Sequence, residues 1–162
     1  MACNNIVLAG LAKDCSSNLG GVKKLHIANY EDVTIPTGVT GDTINIDMTP
    51  FKEYHVRRGA SSMTSTATKN VETGNNFVTT IVTFNIARME AGKRAEMVAL
   101  LSGEVAVIVE DANGNKYFLG ENNPVEATNG GGTTGTAMTD ANQYNIELTD
   151  ISLEMPRFVV SD

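Results

Sequence analysis

The sequence predicts a mainly β fold: a β-sandwich or partly closed barrel with one flanking α-helix. Several segments alternate apolar and polar residues with a period of two, which is typical of strands buried on one face. Asn113-Gly114 lies between two such segments and is a strong signal for a tight hairpin turn. A single segment, from near Met89 to Ser102, has helical spacing instead. These patterns favour packed strands with one helix laid against them.

The chain divides into an N-terminal arm, residues 1–21, and a single β-sandwich domain, residues 22–162. At 162 residues the chain is long enough to bury one substantial core. The arm joins a short apolar run to a polar stretch with glycines, and such arms rarely order in an isolated domain. Its two cysteines, Cys3 and Cys15, match no zinc or redox spacing, so we expect two free thiols.

Five strands are predicted in the first half of the domain. The fourth is unusual because hydroxyl and small side chains occupy both of its faces, so it can bury little apolar area. The fifth places Val78, Val82 and Phe84 on one face and threonines on the other, so we expect these two strands to form a hairpin with one packed and one wet face. The five segments are Val22–Tyr30, Thr43–Met48, Phe51–Arg58, Ser61–Lys69 and Phe77–Ala87.

The second half begins with the helix, which ends at Gly103, a position expected to need a positive φ. Small side chains are predicted to form its packed side, namely Ala91, Ala95, Val98 and Ala99. Three strands are predicted after it: Glu104–Glu110, Lys116–Gly120 and Tyr144–Thr149. The tract 128–136, rich in glycine and threonine, is expected to be a long flexible loop.

Acidic groups are concentrated in the C-terminal part of a chain whose net charge is −7. Residues 1–94 carry 10 basic and 8 acidic side chains, a net +2, whereas residues 95–162 carry 2 and 11, a net −9. Because binding to phosphates comes from Lys and Arg, the acidic half disfavours nucleic-acid binding. Uncharged Thr (18) and Asn (16) supply much of the polarity, which suits strands that meet other proteins.

The candidate motifs for chemistry are each better explained by structure. The segment 130–136 has the glycine spacing of a phosphate loop but no following Lys. The segment 111–115 resembles the start of a calcium loop, yet its glycine is fourth rather than sixth and the twelfth residue is Asn122. His26 and His55 lie in predicted strands without a nucleophile elbow or a metal-ligand partner nearby in sequence. We therefore predict no catalytic residue, no metal site and no cofactor.

The opening residues lack the basic and apolar regions of a signal peptide, and no apolar run approaches membrane-spanning length. The four tyrosines are scattered and offer no stacking platform for single-stranded nucleic acid. We expect a protein that folds in a reducing cytoplasm and has no membrane partner.

The order of elements from residue 88 to residue 160 resembles a known family. The segment "AEMVALLSGEVAVIVEDANGNKYFLG", then a Gly/Thr tract, then "GTAMTDANQYNIELTD" and Pro156, is similar to the major tail or tail-tube proteins of long-tailed bacteriophages. It looks most like those of phages and prophages of gut Bacteroidetes. Residues 1–60 match only in gross pattern.

The resemblance implies a structural virion protein rather than an enzyme. Such subunits form homo-oligomeric rings, commonly hexamers, that stack into a hollow tube through which viral DNA passes without sequence-specific contact. The implied partners are further copies of the chain and other tail proteins, and the implied location is the virion tail, after synthesis in the cytoplasm of the bacterial host. In that family, hairpins from neighbouring subunits join edge to edge to line the channel.

Two groups of residues become candidates if the resemblance holds. The hydroxyl residues of the predicted hairpin are expected to line the channel: Ser62, Thr64, Thr66, Thr68, Thr79 and Thr83. Residues of the Gly/Thr tract and the acidic half, like the N-terminal arm, are expected to contact neighbouring subunits: Gly130, Gly131, Gly132, Thr133, Asp140 and Glu147. Asp150 and Glu154 are further candidates for presenting acid to the more basic half of a neighbour.

Other functions compatible with this fold are a neck, tail-terminator or head-decoration protein of a phage, and a carbohydrate-binding β-sandwich. The carbohydrate-binding alternative needs exposed aromatic side chains on a strand face, but the chain has no Trp and only 6% aromatic residues. An enzyme has the least support, because no convergent catalytic constellation is visible.

Overall fold

Ten strands and one α-helix make up the part of the chain that the computed structural model describes, residues 8–57 and 59–160. Cys3 and Arg58, which belong to the predicted arm and to a predicted strand, lie outside these residues. The helix α1 is Ala91–Ser102, and a single 3-10 turn covers Tyr30–Asp32. The strands are β1 Val22–Asn29, β2 Thr43–Asn45, β3 Lys52–His55, β4 Ser62–Lys69, β5 Asn76–Ala87, β6 Glu104–Asp111, β7 Lys116–Leu119, β8 Val125–Thr133, β9 Gln143–Ser152 and β10 Arg157–Val160.

The strands form a branched sheet in the order β2-β10-β7-β6-β8-β9-β5-β4, with β1 pairing both β6 and β3. At the branch, β6 pairs β1 along one edge, while its other edge pairs β8 at Glu104 and Val105 and β7 from Val107 onward. All pairs are antiparallel except that of β10 with β2. We call β3-β1-β6-β7-β10-β2 the first layer and β8-β9-β5-β4 the second layer.

The two layers face each other, because strands far apart in the sheet bury side chains in one common core. Leu25 of β1 and Val107 of β6 lie in the same apolar cluster as Phe84 of β5 and Leu148 of β9. A second, smaller cluster lies behind the first layer, where Ile108 packs with residues of the 33–51 loop region. The predicted mainly β class with one helix is confirmed, and the sheet is not closed into a barrel, consistent with a sandwich.

Helix α1 covers one side of the sandwich, between the first layer and β8. Met97 and Leu100 are buried in the common core. The hydroxyl of Tyr54 in β3 donates to Glu96 Oε2 at 2.7 Å, and burial together with this carboxylate raises the pKa of Tyr54. The predicted packed side of the helix is wrong: Val98 is half exposed, and the larger Met97 and Leu100 supply the contact instead.

The Gly/Thr tract is a strand rather than the flexible loop expected from sequence. Residues up to Thr133 belong to β8 and pair with β9. A Cβ on Gly130 would lie 2.6 Å from Leu101 Cδ2, and a Cβ on Gly132 would lie 2.7 Å from Met89 Sδ. The glycines therefore let Leu101, in the last turn of the helix, and Met89, two residues before its start, approach the strand closely, as expected of glycine within a strand.

Two further expectations are corrected. Gly103 has a φ of −101°, so a positive φ is not its role; a Cβ there would lie 3.0 Å from the carbonyl oxygen of Ala99. The chain also forms β10, which pairs between β2 and β7 and was not predicted from sequence.

We expect Gly130→Val to lower the free energy of unfolding by up to about 1 kcal/mol, because its side chain would displace the half-exposed Leu101 side chain from β8. Gly131→Val is the matched control, since a Cβ at Gly131 meets nothing within 4 Å. Valine has a higher strand propensity than glycine, so the control variant should be as stable as the parent or more stable by up to about 1 kcal/mol. Urea unfolding followed by circular dichroism measures both, and equal effects at the two positions would contradict the close helix–strand contact.

Candidate assembly surface

The six hydroxyl residues predicted as channel-lining lie together on the outer face of the second layer. In the β4–β5 ladder, Ser62 is opposite Thr83 and Thr66 is opposite Thr79. Residues two apart in a strand share a face, so Thr64 and Thr68 lie in the same row. The β4 members are exposed and the two β5 members are half-buried. The structure thus brings these residues together; it does not test whether they line a channel.

Strands β9 and β8 extend this outer face with further polar groups, both charged and uncharged. Thr83 is opposite Glu147 and Asn85 is opposite Asn145 in the β5–β9 ladder. Thr128 Oγ1 donates to Glu147 Oε1 at 3.1 Å and lies 2.9 Å from Thr149 Oγ1. The face also has apolar members, since Phe77, Ile81 and Ile151 share the parity of these residues.

No strand position on the outer face carries Lys or Arg. The face has acidic groups at Glu126 and Glu147, and its remaining polar groups are hydroxyls and amides. Arg57, in the segment after β3, reaches the rim of this face, where its Nη1 donates to Gln143 Oε1 at 3.1 Å. Phosphate binding depends on Lys and Arg, so the strands of this face by themselves offer no charge neutralisation to a nucleic-acid backbone.

Both ends of the second layer are strand edges with unpaired backbone. Among the described residues, β4 pairs only with β5. At the other end, the stretch 129–133 of β8 pairs only with β9, because the contact with β6 is confined to Val125 and Glu126. An exposed edge of this kind presents a row of free N–H and C=O groups that another chain can pair with.

Five of the six predicted inter-subunit residues lie at or beside the β8 edge. Gly130 to Thr133 belong to the unpaired stretch, and Glu147 lies on the neighbouring strand. A shallow cleft of about 270 Å³ opens above the glycines, with Thr83, Asn129 and Asn145 also on its walls. Asp140 is separate, in the loop after β8. Its Oδ2 accepts N–H groups of Ala137 (2.7 Å) and Thr136 (2.9 Å), and these bonds lower the pKa of Asp140.

Asp150, expected to present acid to a neighbour, is instead buried with only 2% exposure. It lies in β9 opposite Thr80, on the packed face of the second layer. Burial raises the pKa of Asp150 to about 6; the backbone N–H of Gly120 opposes this shift, and the Glu121 carboxylate adds to it. The Oδ1 atom has no hydrogen-bond partner. A neutral carboxyl group suits this position better than a charged one.

The side of the sandwich opposite helix α1 is open and apolar. We call it the open groove: a cavity of about 560 Å³ between β4 and the β7–β10 pair, lined by Met63, Tyr117, Met155 and Phe158. The rings of Tyr117 and Phe158 pack with centroids 4.9 Å apart. Glu154 and Asp42 also line the groove, as does Arg157, whose guanidinium pairs with Glu121 and Glu154. The sequence did not predict this groove, because Met155 and Phe158 belong to the β9–β10 region whose last strand was missed.

The described residues offer no metal-binding cluster. No three His, Cys, Asp or Glu side chains converge in a way that could hold a metal ion. His26 Nε2 lies 3.4 Å from Glu110 Oε2, and His55 Nε2 lies 3.1 Å from Glu53 Oε1, so each histidine has a carboxylate neighbour. Within residues 8–57 and 59–160, no helix has the length and apolar character to cross a bilayer.

Comparison with protein-family models, curated proteins and solved structures finds no match to this chain. The outer face, its two free edges and the open groove are therefore the features from which we infer a function.

We expect Asp150→Asn to stabilise the protein at pH 7 and to have little effect near pH 3. Because the folded pKa is raised from 3.8 to about 6, the carboxyl group favours folding at low pH and this contribution is lost as pH rises through 6. The gain at pH 7 should reach up to about 3 kcal/mol, the free-energy equivalent of the shift. Chemical unfolding of both proteins between pH 3 and pH 8 measures the difference.

Asp140→Asn is the control with the opposite sign. Its folded pKa is lowered, so the carboxylate favours folding above its unfolded pKa and that contribution is lost as pH falls. This variant should be less stable than the parent at pH 7, with the gap closing in acid. A pH-independent effect of Asp150→Asn would contradict the burial of a titrating carboxyl group.

Proposed function

We propose that the protein is a structural subunit of a bacteriophage tail tube, which assembles into stacked rings around a channel for viral DNA. The observation that carries the proposal is the second layer: a four-stranded antiparallel sheet with a free edge at each end and a polar outer face whose strand positions carry no Lys or Arg. The resemblance of residues 88–160 to tail-tube proteins supports the same function.

The two free edges are complementary in direction. Successive strands of the second layer are antiparallel, so β8 and β4, at its two ends, run in opposite directions. When β4 of one copy lies beside β8 of the next, the ladder therefore continues as antiparallel pairing. The unpaired stretch of β8 has five residues and β4 has eight, so the shorter edge can be covered completely.

A ring formed in this way consumes every free edge of the second layer. The contact joins two different surfaces of identical copies, and such heterologous contacts close into rings when the rotation between copies permits. Closure also removes the hazard of uncontrolled pairing at exposed edges. Six copies are expected from the family resemblance.

The outer face has the chemistry of a channel wall for DNA in transit. Its hydroxyl and amide groups are well hydrated, and its strand positions offer Glu126 and Glu147 but no cation to DNA. A wall of this kind does not retain a polyanion, because it releases no counterions on contact. Ser62, Thr64, Thr66 and Thr68 on β4, with Thr79 and Thr83 on β5, are the proposed lining.

A proline at the centre of β4 tests the edge contact. Successive N–H groups of an edge strand point alternately toward β5 and away from it. Of Thr66→Pro and Ala67→Pro, one variant therefore breaks the β4–β5 ladder and the other removes only an outward N–H. The variant that keeps the parent unfolding midpoint should remain monomeric at concentrations where the parent forms rings and tubes, as seen by negative-stain microscopy and analytical ultracentrifugation.

Other results of the same experiment would contradict the proposal or change it. A parent that stays monomeric at high concentration would overturn the proposed function. Rings that never stack would favour a neck or tail-terminator protein instead. Normal assembly of the stable proline variant would show that copies meet elsewhere than at β4.

Thiol accessibility tests which face lines the channel. In a Cys3→Ser, Cys15→Ser background, Thr66→Cys places a thiol on the outer face of the second layer, and Val98→Cys places one on the exposed side of helix α1. In assembled tubes both thiols should react with a small maleimide, but only the Val98→Cys thiol should react with a bulky polymer-linked maleimide. Dissociated subunits should react at both positions, and the reverse pattern in tubes would place the helix in the lumen.

A further inference from the structure

The N-terminal arm exposes two leucines. Leu8 and Leu11 are 88% and 103% exposed, although burial is the usual state of leucine in a folded protein. From residue 8 to residue 17, the side-chain hydrogen bonds stay within the arm, where Asp14 accepts both the N–H and the hydroxyl of Ser16. Residues 8–17 are thus irregular in conformation and exposed, with the apolar side chains near their start.

The base of the arm is held firmly, next to the open groove. Leu19 N–H donates to Asn113 Oδ1 at 2.9 Å, and Asn113 Nδ2 donates to Asn18 Oδ1 at 2.7 Å and to the Leu19 carbonyl at 3.0 Å. A cleft of about 350 Å³ beside this clamp shares Met63 and Tyr117 with the open groove. The domain thus fixes where the arm leaves its surface.

We propose that the open groove of one copy binds the N-terminal arm of a second copy, with Leu8 and Leu11 seated against Met155 and Phe158. This inference rests on the proposed function, since it names the contact through which the arm joins copies. The groove offers an apolar floor of two methionines and two aromatic rings, which matches aliphatic side chains in chemistry. Methionine adapts readily to the shape of an incoming apolar side chain.

Charge is also complementary. Lys13 lies two residues beyond Leu11 in the arm and is followed by Asp14, whose carboxylate accepts the N–H and hydroxyl of Ser16. In the groove, Arg157 already pairs with Glu121 and Glu154, so Asp42 is the carboxylate that it leaves for another cation. An arm that seats its leucines would bring Lys13 to Asp42.

The occupant is a second copy rather than the arm of the same chain. The arm starts beside its own groove, at the shared residues Met63 and Tyr117, yet its leucines stay exposed in the single chain. A groove in the next copy, placed by the ring or by stacking, offers the arm a separate binding site.

Cross-linking between differently tagged copies tests the contact. In a Cys3→Ser, Cys15→Ser background, one preparation carries Leu11→Cys and the other carries Met155→Cys. After mixing, assembly and mild oxidation, the disulfide-linked heterodimer should be at least tenfold more abundant than with Met138→Cys in place of Met155→Cys. Met138 is a matched control, because it is a fully exposed methionine away from the groove. None of these positions is in the core, so folding should persist, and circular dichroism checks it.

The outcomes separate this inference from the proposed function. Tubes in the parent protein without the heterodimer overturn the arm contact and leave the tube function standing. A heterodimer from a parent that forms neither rings nor tubes supports the arm contact and overturns the tube function. A chain carrying both Leu11→Cys and Met155→Cys that forms only an internal disulfide, at every concentration, also overturns the contact between copies.

Discussion

The fold depends on β6, a strand that is buried on both faces and paired on both edges. Its residues Val105 to Val109 have almost no exposure, with Val107 and Val109 in the common core and Ala106 and Ile108 in the smaller cluster. One edge holds β1, and the other is shared by β7 and β8. Because both layers meet in this one strand, the sandwich is anchored at a corner and stays open at the far side.

That arrangement explains why the two sides of the sandwich differ. Near the corner, helix α1 covers the gap, and the glycines of β8 let it approach closely. On the far side no helix among the described residues covers the gap, so the open groove remains. There β4 is the last strand of the second layer, paired with β5 on one edge only. A single chain thus leaves two strand edges and one apolar groove uncovered. These are the surfaces that we propose bind neighbouring copies.

Much of the fold was predictable because local alternation carries the information. Val78, Val82 and Phe84 identified β5 and its packed face, and they placed the channel candidates Thr79 and Thr83 on the opposite face. Parity could also have revealed the burial of Asp150, since Tyr144, Ile146 and Leu148 lead to it in steps of two. The many acidic residues in this half of the chain favoured an exposed Asp150 instead.

The remaining features depend on contacts between distant parts of the chain. Glycine is depleted in strands, so Gly130 to Gly132 suggested a loop, and only the contact with the helix explains them as a strand. The helix face was missed because small side chains were favoured over Met97 and Leu100. Strand order is equally non-local, so neither the free edge of β8 nor the open groove could be found before the layers were placed.

Strand β6 has a tendency to aggregate before the chain folds. Val105-Ala-Val-Ile-Val109 is uncharged, lacks proline and is rich in β-branched residues, which is the composition of an aggregation-prone segment. During synthesis it emerges before β7 and β8, so only one of its edges has a partner at first. Glu104 and Glu110 flank it directly and act as gatekeepers, whose like charges disfavour stacking of this segment between unfolded copies.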